Sequence, residues 1–206
     1  MKKILIPLLF VFAAVHLVAA NDLAVLEIKL GKEKKTQRVV FELFDKEAPD
    51  TVQNFEKLAR KGFYNGIAFH RAFPNLLVQA GDPLSRKKNR SKIGTGGPGY
   101  TLPPEIHHKH TAGAVAMARL PDKINPARLS NGRQFYVCLK PMPNLDGQYT
   151  VFGHVVEGIE TLSRLSSMSV DSNDNPMDRV VIKSVKIIPS EKTGASPILR
   201  KSGGAL

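Results

Sequence analysis

The sequence predicts a mainly β fold, a closed β-barrel capped by two α-helices. Three observations lead to this prediction. Many short segments alternate apolar and polar residues or are apolar throughout, as strands do. Loops rich in Gly, Pro and Asn separate these segments, and only two stretches have the longer helical period. Because strands do not alternate regularly with helices along the chain, a doubly wound parallel sheet is disfavoured.

The first elements of the predicted domain are two strands and a helix. LAVLEIKL (23–30) and RVVFELF (38–44) alternate in polarity, and the basic segment between them predicts a hairpin loop. The segment 48–64 has a helical period, with Pro49 suited to the first turn and Gly62 to the end.

The remaining elements are short. Five apolar runs predict further strands: IAFHRAF, LLVQAG, GAVAMA, RQFYVCL and YTVFGHVV. A second short helix is predicted over GIETLSRLSSM (158–168), and RVVIKSVKII (179–188) predicts the closing strand. Residues 21–189 are therefore predicted to form one domain.

The two ends of the chain have other compositions. Lys2 and Lys3 precede an apolar run from Ile4 to Ala20 that closes on small residues, which predicts a secretory signal over residues 1–20, cleaved after Ala20. A membrane anchor is the alternative, but a span needs about 20 apolar residues. Export to a periplasm or secretion is expected. Residues 190–206 form a polar tail expected to be mobile.

The charge and cysteine content narrow the function classes. The net charge is +12, with basic clusters at 32–35 and 86–92. Nucleic-acid binding is one interpretation, but export and the lack of interleaved aromatic residues favour solvated loops or contact with anionic envelope surfaces. Cys138 is the single cysteine, so no intrachain disulfide forms, and its apolar setting predicts a buried side chain rather than a nucleophile.

Three motifs are typical of cofactor or metal sites, but their contexts do not support such sites. GTGGPG (94–99) has no strand before it and Pro103–Pro104 after it, so we expect a loop whose backbone passes close to another group. HHKH (107–110) is expected to be a run of exposed loop histidines. DSNDNPMD (171–178) is expected to form turns rather than a calcium site. No metal or cofactor is predicted.

Four segments in order resemble the cyclophilin family of peptidyl-prolyl cis-trans isomerases: FHRAFPNLLVQAGDP, AVAMAR, NGRQFYVCL and LDGQYTVFGHVVEG. The resemblance extends from Leu23 to Ile188, and the MAR triplet and GTGGPGY loop resemble bacterial members. It implies a closed eight-stranded antiparallel barrel capped by two α-helices. It also implies binding of proline-containing polypeptides by a monomer, without a cofactor.

The resemblance gives Arg71 a catalytic role. Rotation about an X-Pro bond crosses a barrier of roughly 18–20 kcal/mol, because the nitrogen lone pair is conjugated into the carbonyl. A fixed guanidinium directed at the prolyl nitrogen stabilises the twisted amide more than the planar one. The resemblance further implies that Gln79 orients Arg71 and the substrate carbonyl.

The other site residues follow from the same resemblance. The apolar proline pocket is expected at Leu76, Leu77, Tyr136 and Leu145, with Phe135 nearby in the core. The substrate backbone is expected to contact Ala118, Arg119 and Gln134. Tyr149 lies where eukaryotic members often have His.

Several residues depart from the family pattern. Leu76 and Tyr136 replace Phe, and the Tyr136 hydroxyl requires a partner. Asn144 replaces a Trp or Phe that lines the drug-binding side, which predicts weak binding of cyclosporin. Two functions are consistent with these residues: an isomerase that accelerates the folding of exported proteins, and a non-catalytic chaperone module that binds proline-containing segments.

Overall fold

The computed structural model describes residues 21–87, 90–97 and 99–189. The predicted signal and the predicted tail lie outside these residues. Strands β1 to β11 span Leu23–Leu30, Gln37–Leu43, Ala68–Phe69, Arg71–Phe73, Leu77–Ala80, Thr101–Leu102, Ala114–Met117, Ser130–Asn131, Phe135–Cys138, Val151–Glu157 and Val180–Ile188. Helices α1 and α2 span Pro49–Arg60 and Ile159–Ser166, and short 3₁₀ helices span Pro83–Arg86 and Pro143–Leu145.

Nine of these strands form one antiparallel sheet in the order β3-β11-β1-β2-β10-β7-β9-β5-β4. Its two edge strands, β3 and β4, are separated in the chain by His70 alone, so the backbone itself closes the barrel. The His70 N–H donates to the Gln79 carbonyl at 2.9 Å across this junction. With β3 and β4 counted as one bent strand, the barrel has eight strands, which confirms the predicted fold. Strands β6 and β8 form a separate two-stranded ribbon.

The barrel interior is filled by apolar side chains from the strands and from one face of each helix. Helix α1 buries Val52 and Phe55, and α2 buries Leu162 and Leu165, all in the same cluster. The Phe55 ring meets the Phe135 ring edge-on, with centroids 5.8 Å apart. Full burial of each such side chain stabilises the fold by about 1.5–3 kcal/mol.

Among the described residues, no helix is long and apolar enough to cross a membrane.

The first helix begins without a capping side chain of its own. Ala48 precedes Pro49 and offers no side-chain hydrogen bond. Instead the Glu105 carboxylate accepts from the Asp50 and Thr51 N–H groups, each at 2.9 Å. A carboxylate at this position satisfies two of the free N–H groups and interacts favourably with the helix dipole.

Strands β7 and β9 are buried on both faces, and this positions the candidate site. Their inward residues join the barrel interior, whereas Ala116, Tyr136 and Cys138 belong to a second apolar cluster on the outer face.

Cys138 is buried, as predicted. Burial, followed by the charge of Asp146, raises the pKa of its thiol to about 12, which argues against a nucleophilic role.

Candidate active site

A groove of about 1060 Å³ runs over β4, β5 and β9 and past the end of β7, where Ala118 and Arg119 lie. Nine of the ten site residues expected from the sequence line it: Arg71, Leu77, Gln79, Ala118, Arg119, Gln134, Tyr136, Leu145 and Tyr149. Leu76 differs, because it packs against the outer apolar cluster without lining the groove. Met142 lines the groove beside Leu145 and was not expected from the sequence.

The Arg71 side chain lies at the groove with its guanidinium half exposed. Strand pairing places Arg71 opposite Gln79 and Gln79 opposite Tyr136, so three groove residues lie in one row across β4, β5 and β9. The guanidinium carbon lies 4.7 Å from the centre of the Phe73 ring. This contact restricts the side chain while leaving its N–H groups accessible.

The ion pair formed by Arg71 is weak. Its Nε lies 3.8 Å from Asp174 Oδ2, and the two side chains are 49% and 40% exposed. Pairs of this kind typically contribute about 0–1 kcal/mol. Asp174 belongs to the loop in which Asp171 Oδ1 accepts from the Asn173 and Asn175 N–H groups, so the predicted turn chemistry is confirmed.

Gln79 and Gln134 form a hydrogen-bonded pair beside Arg71. Gln79 Nε2 donates to Gln134 Oε1 at 2.9 Å. Gln134 Nε2 in turn donates to the carbonyls of Gly94 and Gly96, at 3.1 and 2.6 Å. Both donors of the Gln134 amide are thereby used, which fixes the orientation of the Gln79 amide next to the arginine.

The glycine loop is held from its other side by Asp82, a fully buried carboxylate whose role the sequence did not indicate. It accepts from the N–H groups of Leu84, Gly94 and Gly96, the first at 2.7 Å and the last at 3.1 Å. A Cβ at Gly96 would lie 2.0 Å from Asp82 Oδ1. The predicted close approach of this backbone is therefore confirmed.

The expectation that HHKH is a run of exposed histidines is wrong for His110. His107 is exposed, but the His110 residue is only 2% exposed. Its Nε2 lies 2.9 Å from the Tyr136 hydroxyl and its Nδ1 lies 3.1 Å from Asp146 Oδ1. The partner required by Tyr136 is thus a residue distant in sequence, and no local periodicity could have identified it.

The Arg119 side chain lies in the wall of the groove and is held there by contacts within the protein. It is 2% exposed, and its Nε donates to the Gln148 carbonyl at 2.8 Å. The guanidinium also pairs with Asp122 and lies 4.5 Å above the Tyr149 ring centre. The guanidinium is therefore occupied within the protein, and Arg119 stabilises the position of the Tyr149 ring.

Three exposed apolar residues, Tyr100, Leu120 and Ile124, also line the groove and form its apolar rim. These residues are 43%, 59% and 68% exposed, and they are three of the six exposed large hydrophobic residues in the described part of the chain. These residues were not expected from the sequence. No group of His, Cys, Asp and Glu suited to a metal ion occurs among the described residues.

We expect stability to fall on acidification below about pH 6.5, the ordinary pKa of histidine. Burial is the main cause that lowers the pKa of both His70 and His110 in the folded protein. Between the lowered pKa values and 6.5 the unfolded chain binds more protons, so the free energy of unfolding rises with pH and reaches its full value above 6.5.

Urea unfolding between pH 5 and 8 measures this slope. His110→Gln should flatten it in part, whereas His107→Gln, at an exposed position in the same segment, should not. A free energy of unfolding that is constant from pH 5 to 7.5 would contradict the expectation.

Together, the closed barrel and an apolar pocket beside a half-exposed arginine define a peptide-binding site that can favour one amide geometry without proton transfer. The family model described as "Cyclophilin type peptidyl-prolyl cis-trans isomerase/CLD" matches residues 26–187, and the chain belongs to this family. It is a cyclophilin-type peptidyl-prolyl cis-trans isomerase.

Two curated relatives illustrate the similarity. Peptidyl-prolyl cis-trans isomerase-like 1 of Aspergillus fumigatus is 39% identical over 150 residues, which cover 71% of this chain and 87% of that protein. Peptidyl-prolyl cis-trans isomerase B of Bacillus subtilis is 41% identical over 136 residues, covering 65% and 86%.

A solved structure has the same fold. A cyclophilin-type isomerase of Cryptosporidium parvum superposes with a TM-score of 0.69 at 28% identity, covering 81% of this chain and 97% of that one. A second structure of that protein was determined in the presence of the dipeptide Ala-Pro.

Cyclosporin should bind this chain weakly, and Asn144→Trp should strengthen the binding. Asn144 is exposed in the 3₁₀ helix Pro143–Leu145, where its carbonyl accepts from Gln148 Nε2 at 2.7 Å. Burying an added aromatic surface is worth about 1–3 kcal/mol, or roughly tenfold to a hundredfold in affinity. Calorimetric titration measures the change, with Lys57→Trp on the exposed face of α1 as the control. Nanomolar binding by the unmodified chain would contradict the prediction.

Proposed function

We propose that this isomerase accelerates the folding of proteins outside the cytoplasm, and that Arg71 stabilises the twisted X-Pro amide. The main observation in support of this role is that the half-exposed Arg71 guanidinium lies beside an apolar pocket. The strand register fixes both features: Arg71, Gln79 and Tyr136 are consecutive partners across three strands. The catalytic unit is a monomer.

The positions of the groove residues support the following roles. The proline ring enters the apolar pocket lined by Leu77, Tyr136, Met142 and Leu145. The Gln79 amide, oriented by Gln134, donates to the substrate carbonyl or accepts from an Arg71 N–H. The Arg71 N–H groups then meet the prolyl nitrogen, which becomes a hydrogen-bond acceptor only once the amide twists. No proton is transferred in this scheme.

The proposed location rests on the N-terminal sequence. Two lysines, an apolar run and small residues near Ala20 support a secretory signal. The family match begins at residue 26 and β1 begins at Leu23, so the run precedes the isomerase domain. The MAR triplet and the glycine loop resemble those of bacterial members.

Cell fractionation followed by mass spectrometry tests the location. A mature chain that begins at Asn21 in the periplasm or medium is expected. An intact chain that begins at Met1 in the cytosol would overturn the export proposal while leaving the isomerase chemistry unaffected.

Refolding of a client whose slow phase is limited by prolyl isomerisation tests the folding role. The processed protein should accelerate the slow phase, and Arg71→Ala should abolish most of the acceleration. Arg60→Ala, at an exposed arginine on α1, is the control. Acceleration of short X-Pro peptides without any effect on client refolding would confine the function to small substrates.

A further inference from the structure

A buried chain of hydrogen bonds lies behind Tyr136 and Tyr149, two aromatic residues that line the groove. Asp146 Oδ1 accepts from the His110 backbone N–H at 2.7 Å and lies 3.1 Å from His110 Nδ1. His110 Nε2 lies 2.9 Å from the Tyr136 hydroxyl. The His110 side chain is 0% exposed, while Asp146 remains partly in contact with solvent.

The direction of each hydrogen bond follows from the chemistry of the groups. A carboxylate only accepts, so the proton of a neutral His110 resides on Nδ1 and Nε2 is left as an acceptor. The Tyr136 hydroxyl must then donate to Nε2. Among the described residues, His110 is the one hydrogen-bond partner of the Tyr136 hydroxyl. The Tyr136 ring itself lines the groove. The neutral histidine therefore holds the phenolic proton away from the substrate.

Ring geometry supports a positioning role for the same residues. The His110 and Tyr136 rings are nearly parallel, at 9° with centroids 6.0 Å apart. Tyr149 meets both rings edge-on, at 84° and 87°. A change in His110 is thereby transmitted to two aromatic residues of the groove.

We infer that His110 and Asp146 are positioning residues for Tyr136, and that protonation of His110 lowers the rate of the isomerase. This inference rests on the proposed use of the groove for catalysis. A protonated Nε2 donates to the Tyr136 oxygen, so the phenolic proton needs another acceptor, and the open space beside the ring is the groove. The proline pocket then becomes more polar and gains a neighbouring positive charge.

The groups that face this chain set the direction of the titration. Burial lowers the pKa of His110 below its ordinary value, and the carboxylate of Asp146 opposes this change in part. The other titratable or charged groups near the three residues lie on several elements: Lys109, Arg119, Cys138 and Tyr149. His110 is therefore neutral at pH 7 and gains its proton on acidification.

The test measures kcat/KM between pH 4.5 and 8 by exchange NMR, with an X-Pro peptide that has no titrating side chain. The unmodified protein should lose activity on acidification, by roughly two- to tenfold, the effect of one ordinary hydrogen bond. Tyr136→Phe should clearly reduce this dependence, because a phenyl ring has no proton to redirect and only the effect of the His110 charge remains. Asp146→Asn should move the loss to lower pH, since the carboxylate raises the pKa of His110.

A double-mutant cycle separates positioning from simple structural support. His110→Ala should lower kcat/KM in the unmodified background and have a smaller effect in the Tyr136→Phe background. Equal effects in both backgrounds, or the same acid loss in Tyr136→Phe as in the unmodified protein, would overturn the inference. His107→Ala is the matched control. If His110→Ala does not fold, the pH profile of Asp146→Asn decides the question.

Arg71→Ala in the same assay tests the underlying function independently. Undiminished activity in that variant would refute the proposed role of Arg71, yet the pH profile of the Tyr136 variants would still decide the role of His110. Melting curves at each pH show whether a loss of activity follows a loss of fold.

Discussion

Arg71→Lys and Arg71→Ala should each lower the isomerisation rate by roughly 100- to 1,000-fold. Removal of a preorganised donor that acts mainly in the transition state typically costs about 2.7–4 kcal/mol. Lysine retains the charge but replaces a planar set of donors with a flexible point charge. Affinity for a ground-state proline peptide should change much less, because the planar amide nitrogen is a poor acceptor.

Exchange NMR of an X-Pro peptide, together with peptide affinity and a melting curve, measures the three effects. The fold should survive, because the Arg71 side chain is 49% exposed and its pair with Asp174 is loose. Arg60→Lys and Arg60→Ala on α1 are matched controls. Full activity in Arg71→Lys would reduce the role of Arg71 to positive charge. A loss that follows the melting temperature would indicate a structural role instead.

Asp82→Ala should destabilise the protein by about 3–5 kcal/mol, because it removes a buried acceptor of three backbone N–H groups. For a domain of this size the melting temperature should fall by roughly 6–20 °C. The glycine loop should also loosen, and with it the carbonyls that hold Gln134. Activity should therefore fall even at temperatures where the variant is folded.

Differential scanning calorimetry and the isomerase assay at 10 °C check these two expectations. Asp45→Ala, at an exposed position, should change stability by less than about 0.5 kcal/mol. An unchanged melting temperature in Asp82→Ala would show that the loop is held by other contacts. An unchanged rate in the folded variant would separate the loop from the active groove.

The elements that the sequence predicted well are those determined by neighbouring residues. The alternation of LAVLEIKL and the helical period of the segment around Phe55 correspond to β1 and α1. The run IAFHRAF was predicted as one strand, and it forms β3 and β4, joined through His70. Binary patterns of this kind depend on which side chains face the core, and this is a local property.

The site was predicted less completely, because its contacts join residues distant in sequence. The resemblance to the family pointed to nine residues that line the groove. It could not show that Leu76 lies outside it, that Met142 takes part, or that Asp82 anchors the glycine loop. The apolar rim also depends on how the loop through Leu120 and Ile124 folds back onto the groove.

Local sequence patterns were sufficient to predict the strand and helix periods, the burial of Cys138 and the family resemblance that pointed to Arg71 and Gln79. The pairing of buried polar groups, in contrast, became evident only from the folded structure. Glu105 caps a helix more than 50 residues before it, and Asp146 and Tyr136 are hydrogen-bond partners of the buried His110, which lies in a segment of polar loop character. Apolar burial depends mainly on local periodicity, whereas a buried hydrogen bond requires one particular partner, which only the completed fold brings to hydrogen-bonding distance.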